Sequence, residues 1–219
     1  MAYIINIETA TTNCSVSLAK DGKTILLREI ANQGYSHAEK LHVFIEEIIT
    51  ESNIEIEDLN AIAVSAGPGS YTGLRIGTSA AKGLSFALNI PLIAIDTLTS
   101  LANKVSFSDG FIIPMIDARR MEVYSAIFNS NKEMVRKVEA QIISDNSFET
   151  ITEKIYFIGD STEKAKSVLT KSNFVFLDEI KSPSANEMSL LSYNKFLESN
   201  FEDIAYFEPH YLKEFMFAK

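Results

Sequence analysis

The sequence predicts an α/β protein of two similar lobes, and three observations carry that expectation. Apolar runs end in a carboxylate at Glu8 and again at Asp117; each is followed by a turn, an alternating strand and a polar turn; and helix-period segments stand between the later apolar runs. The spacing of the two starts, from Glu8 to Asp21-Gly22 and from Asp117 to Asn129–Asn131, is nearly equal, as an internal repeat would make it.

The first run, YIINIE, leads through TATTN into CSVSLAK, whose period-two alternation reads as a strand, and Asp21-Gly22 turns the chain into TILLREI. Ser36 and Glu39 form a capping box ahead of Leu41, Phe44, Ile45, Ile48 and Ile49, so a helix is expected over residues 36–52. AIAVSA, short and uncharged, reads as a strand covered on both faces. A helix from Tyr71 to Leu88, a strand PLIAI and a short helix through Ser100 to Val105 complete a β-β-β-α-β-α-β lobe. FIIPMID, MEVYSAIF and MVRKVEA then repeat the opening. They are followed by an expected helix near Asp145 to Lys154, a strand IYFIG, a helix after Asp160, a strand FVFL and a helix over Ser184 to Glu198. The expected lobes are residues 1–106 and a smaller, degenerate 107–219, with the last helix available to pack back on the first lobe.

Composition excludes several classes of function. A formal net charge of −9 disfavours independent binding to a nucleic-acid backbone, which needs clustered Lys and Arg to displace counterions. Cys14 is the only cysteine, so neither an internal disulfide nor a cysteine-based zinc site can form within one chain. No window is long and apolar enough to span a bilayer, and the N-terminus has no basic region before Glu8, so no membrane partner and a cytoplasmic location are expected.

The stretch SAGPGSYTGLRIGTSAAKG, residues 65–83, is rich in glycine but fits neither nucleotide fingerprint. A Walker A loop needs a lysine where Leu74 follows Gly73, and the dinucleotide pattern would place its third glycine one residue before Gly73. What remains is a strand-to-helix turn at Gly67-Pro68-Gly69, whose helix start near Ser70 could attract an anion through its amides. Gly73, Gly77 and Ala81 lie four apart, a stripe nearly without side chains. Two occupants of that stripe stay open: a partner helix, or the chain's own sheet.

The segments ETATTNCSVSLAKDGK, SHAEKL, AGPGSYTGLRIGTSAAKGLSFALNIPLIAIDTL and DARRMEVYSAIF together resemble the bacterial TsaB family, formerly called YeaZ, over most of residues 3–128. GPGSYTGLRIG is the most specific block, and the PHYLK ending is similar to the family's P-x-Y-L-[RK]. The resemblance implies a fold of the actin, sugar-kinase and Hsp70 type. It further implies a non-catalytic role in forming threonylcarbamoyladenosine just 3′ of the tRNA anticodon. In that family the chemistry belongs to the paralogue TsaD, and TsaE, a small ATPase, binds the pair. The expected partners are thus a TsaD-type subunit, a TsaE-type ATPase and, through the complex only, tRNA; alone, the chain is expected to form a homodimer.

TsaD-like chains carry H-x-x-x-H after the strand matching PLIAI, two imidazoles one turn apart that grip a divalent ion. This chain has Thr97 and Leu101 there, and leucine offers no lone pair. His37 and His42 are five apart, about 140° out of line on a helix, and make poor joint ligands. No metal and no cofactor of its own is expected, with ATP or ADP at a partner junction left open. The first turn, Glu8-Thr9-Ala10-Thr11-Thr12, lacks the Asp and Gly usual in kinases of this fold, and Ile158-Gly159-Asp160 has one glycine where nucleotide binders have several.

The expected partner face comprises His37, Leu41, Tyr71, Gly73, Leu74, Arg75, Gly77 and Ala81. A vestigial nucleotide or anion site would comprise Glu8, Thr9, Gly67, Gly69, Ser70, Asp117 and Arg119, although for Asp117, Arg119 and Arg120 an exposed hairpin tip is the favoured reading. The rival from another class is an enzyme using its own interlobe cleft, an ATP-dependent small-molecule kinase or a peptidase.

Overall fold

The structure, a computed structural model, describes residues 1–31 and 37–213. Its elements run β1 (Tyr3–Glu8), β2 (Asn13–Lys20), β3 (Lys23–Ala31), α1 (His37–Ser52), β4 (Leu59–Ser65), α2 (Tyr71–Leu88), β5 (Leu92–Ile95) and α3 (Thr97–Ala102). They continue with β6 (Phe111–Asp117), β7 (Glu122–Asn129), β8 (Met134–Ile142), β9 (Ile155–Ile158), α4 (Thr162–Lys166), β10 (Phe174–Phe176) and α5 (Ala185–Leu197). Two five-stranded sheets result, ordered β3-β2-β1-β4-β5 and β8-β7-β6-β9-β10. Within each, the first three strands pair antiparallel and the last two run parallel to the central strand. The repeat read from the two carboxylate-ended runs is therefore a repeat of topology, strand for strand.

The chain divides after Thr97 rather than near residue 107, and the segment from Ser184 onward belongs with the first sheet, so the second unit ends at Pro183. Side-chain chemistry explains both corrections. Leu98, Leu101 and Ala102 of α3 are apolar and pack with Ile112, Ile116, Phe128 and Ile158 of the second unit. α5 instead presents a mixed face to the first sheet: Ala185 and Met188 meet Ile4, Ala61, Ala63 and Ile93, while its serines meet polar residues of β1 and β2. Ser192 Oγ donates to Asn6 Oδ1 at 2.6 Å, Asn6 Nδ2 to Ser17 Oγ at 3.1 Å, Ser17 Oγ to the Ala185 carbonyl at 2.8 Å and Ser184 Oγ to Glu29 at 2.7 Å. Buried polar groups are tolerated only when satisfied, and these satisfy one another. The alternation of CSVSLAK marks a strand buried on both faces, with its serines under α5.

α1 buries His37, Leu41, Ile45 and Ile48 in one stripe against the first sheet, and Arg28 of β3 donates to Glu47 at 3.1 Å. Ser36 of the expected capping box lies outside the described residues. The helix expected near Asp145 to Lys154 does not form. Ser147 Oγ takes the Ser144 N–H at 3.0 Å and Phe148 stands at φ 61°, so side-chain bonding yields turns instead. Among the described residues no helix is long and apolar enough to cross a membrane.

After α5 the chain straps α2 to the sheet. Glu202 N–H donates to the Leu92 carbonyl at 2.9 Å, Phe207 is buried in the core, and Lys82 Nζ reaches the carbonyls of Ala205 and Phe207 at 3.2 and 3.1 Å. His210 N–H then closes on the Ala66 carbonyl at 2.7 Å.

Candidate functional site

Three places gather the residues that the sequence singles out. The first is the seat of the β1–β2 turn on α2. Glu8 is fully buried, and its Oε1 accepts the Ala10 N–H at 2.6 Å, so the carboxylate braces its own turn. Thr9 Oγ1 donates to the Gly73 carbonyl at 2.8 Å, and Thr9 N–H to Ser65 Oγ at 3.3 Å. The Ala10 carbonyl accepts the Ser70 N–H at 2.7 Å. A Cβ built on Gly69 would strike Ala10, one on Gly73 the Thr9 carbonyl, and one on Gly77 Thr9 Oγ1. The stripe thus has an occupant within the chain: the tip of the first hairpin.

That placement corrects the expected partner face. Gly73, Gly77, Ala81, Leu41, Leu74 and His37 are buried in the first unit and point at their own sheet and turn. Burial also lowers the His37 pKa, opposed by a backbone hydrogen bond with Thr11. Tyr71 is half-buried, and Arg75 alone of the eight is exposed. Ser70 itself is engaged within the chain: its N–H goes to Ala10, its Oγ accepts the Gly73 N–H at 3.2 Å, and its carbonyl takes the Leu74 N–H at 2.8 Å. Gly67 is held by Thr97, whose Oγ1 accepts the Gly67 N–H at 3.1 Å and whose N–H donates back at 2.9 Å. Cys14, beneath this turn, is pushed up to about 11 by burial and then by the Glu8 charge, so it stays a thiol.

The second place is the β6–β7 turn. Asp117 N–H donates to Asp160 Oδ1 at 2.8 Å, and Lys164 pairs with the Asp117 carboxylate and donates to the carbonyls of Arg120 and Glu122 at 2.9 and 2.6 Å. One lysine from α4 therefore braces this turn. Arg119 and Arg120 are exposed in the left-handed region, at φ 72° and 52°. The lone glycine of the next turn, Gly159, stands at φ 111°, and a Cβ there would strike the Met115 carbonyl. It is required by close packing on β6. Asp160 is exposed as a residue, yet with Oδ1 turned into the turn its pKa rises to about 6; burial is the main cause and the Asp117 charge adds, against the Asp117 N–H, Ser161 and Lys164.

The third place, which the stripe of Gly73, Gly77 and Ala81 does not reach, is the outer face of α1 and α2. An open groove there is lined by Ala38, His42, Arg75, Ser79, Gly83 and Leu84. Nothing lies within 4 Å of a Cβ built on Gly83, and Phe86 beside it is 79% exposed. The signal was present in the sequence, since Ser79 and Gly83 also lie four apart on α2, offset from the glycines that face the turn. Among the described residues no cluster of three or more His, Cys, Asp or Glu could hold a metal ion.

Two measurements test this geometry. Gly73→Ala should lower stability by about 1–3 kcal/mol, because the Thr9 carbonyl cannot recede, whereas Gly83→Ala should raise it by about 0.5–1 kcal/mol. Urea unfolding of both variants checks the opposite signs. For Asp160, the folded pKa of about 6 exceeds the ordinary 3.8, so the folded chain holds a proton that the unfolded chain has released. Stability from this group is therefore lost as pH rises from about 4 through about 6. Asp160→Asn keeps the acceptor and removes the titration. Its melting temperature should equal or exceed the parent's at neutral pH, the parent gaining on it as the pH falls through that window.

The sequence model of the family described as TsaD, tRNA N6-adenosine threonylcarbamoyltransferase, matches residues 25–216. The chain is 29% identical over 219 residues to the tRNA threonylcarbamoyladenosine biosynthesis protein TsaB of Escherichia coli (strain K12), covering 96% of this chain and 94% of that protein. It is 30% identical over 190 residues to TsaB of Buchnera aphidicola subsp. Acyrthosiphon pisum, covering 81% and 85%. The structure of YeaZ from Pseudomonas aeruginosa superposes with a TM-score of 0.83 at 24% identity, over 97% of this chain and all of that one, so the two chains share this fold. On these sequence matches, the chain belongs to the TsaB family within the larger TsaD-type family.

Proposed function

We propose that this protein serves threonylcarbamoyladenosine formation on tRNA as a non-catalytic subunit, pairing through the outer face of α1 and α2 with a TsaD-type catalytic chain. The observation that carries this reading is the interlock of the first hairpin with α2. Groups that could meet a phosphate at Glu8–Ala10 and Gly67–Ser70 are engaged with one another, while the groove beside Gly83 is open. Because the chain itself matches the TsaD family model from residue 25 to residue 216, a TsaD-type partner has counterparts of α1 and α2. Two related chains can then pair about a pseudo-twofold axis, face to like face. In the partner's absence the same face makes a homodimer. A TsaE-type ATPase binds the pair, and tRNA, repelled by the net charge of −9, is reached through the complex.

The test is Gly83→Trp. Since the site is open, the variant should fold and melt within a few degrees of the parent. Its affinity for the purified cognate TsaD-type subunit should fall by more than about a hundredfold. Gly77→Trp is the wrong probe, because it collides with Thr9 and would unfold the chain. Unaltered pairing by a folded Gly83→Trp variant, or unchanged product formation when this chain is omitted from a reconstituted system, overturns the reading.

A further inference from the structure

We propose that the C-terminal strap tunes the pairing face by holding Arg75: Tyr211 braces Tyr71, Tyr71 carries the Arg75 guanidinium, and that guanidinium meets a carboxylate of the TsaD-type partner at the mouth of the α1–α2 groove. The Tyr71 and Tyr211 rings lie 4.9 Å apart between centroids, inclined at 45°. The Arg75 guanidinium carbon stands 4.1 Å from the Tyr71 centroid, one helical turn along α2. A cation that close to a phenol face is attracted by the ring quadrupole, and a ring packed on one side cannot swing away. Arg75 lines the groove, so the stack fixes where its donors point.

The strap is fastened independently of Tyr211. Phe207 is buried, the carbonyls of Ala205 and Phe207 hold Lys82, and His210 N–H bonds the Ala66 carbonyl. Tyr211, 36% exposed, adds nothing to the core and is placed to act on Tyr71. Arginine offers a rigid fork that suits a carboxylate, but a long exposed side chain loses rotamer freedom on binding; holding it beforehand lessens that loss. Tyr211 is thus a positioning residue and Arg75 the contact.

The inference rests on the pairing face proposed above, and one titration series separates the two. Full-length parent, Tyr211→Ala, Tyr211→Phe, Arg75→Ala, the Tyr211→Ala/Arg75→Ala double variant and Gly83→Trp are each titrated with the cognate TsaD-type subunit, at low and at physiological salt. Tyr211→Ala should weaken pairing about five- to tenfold, as loss of one cation–π hold would. Tyr211→Phe should pair like the parent. The double variant should be no weaker than Arg75→Ala, and the Arg75 effect should shrink as salt rises. If Gly83→Trp abolishes pairing while Tyr211→Ala is silent, or if Tyr211→Ala costs as much without Arg75 as with it, this inference falls alone. A folded Gly83→Trp variant that pairs normally removes the face and with it both proposals.

Discussion

The contact on which the first unit depends is the seat of the Thr9–Ala10 turn in the glycine notch of α2. At Gly73 the Thr9 carbonyl lies where any side chain would begin, and the Thr9 hydroxyl bonds the Gly73 carbonyl at 2.8 Å. Removing bulk from one helix face lets backbone meet backbone, and the polar groups exposed by that closeness are paired across it. The notch also fixes the neighbouring turn, because Ser70, whose N–H bonds Ala10, caps the helix that carries the notch. Hairpin tip, strand-to-helix turn and helix therefore hold one another in place.

The two units share a strand order but brace their first turns by different chemistry. In the first, the brace is local in sequence: a glutamate reaches over its own turn and the glycine stripe of α2 closes on it. In the second, it is electrostatic, with Lys164 on Asp117 and on two carbonyls and Asp160 beneath. A turn held by an exposed ion pair and a carboxylate of raised pKa responds to both salt and pH, and in the second unit that carboxylate is Asp160.

Packing the hairpin tip on one face of α2 leaves the opposite face, with Ser79 and Gly83, open beside α1. α2 carries small residues on two sides, one consumed by folding and one left open. The strap crosses its flank, and the segment that holds α2 down at Lys82 ends beside the tyrosine that carries Arg75.

The sequence by itself determined the succession of the strands, their repeat, the bounds of α2 and α5 within a residue and the family, but not the turns at 145–150, because periodicity, caps and turn residues act over a few neighbours. Which side of α2 each small residue faces was left undecided: a spacing of four defines a stripe but carries no information about what lies against it. Only the tertiary structure decided that Gly73 and Gly77 receive Thr9 while Gly83 meets open space. It likewise decided that the serines of β2 lie under α5, which returns from the far end of the chain to satisfy them. Those outcomes depend on pairings across 64 and 168 residues, and hydrogen-bond satisfaction between segments so distant is settled when the chain closes on itself.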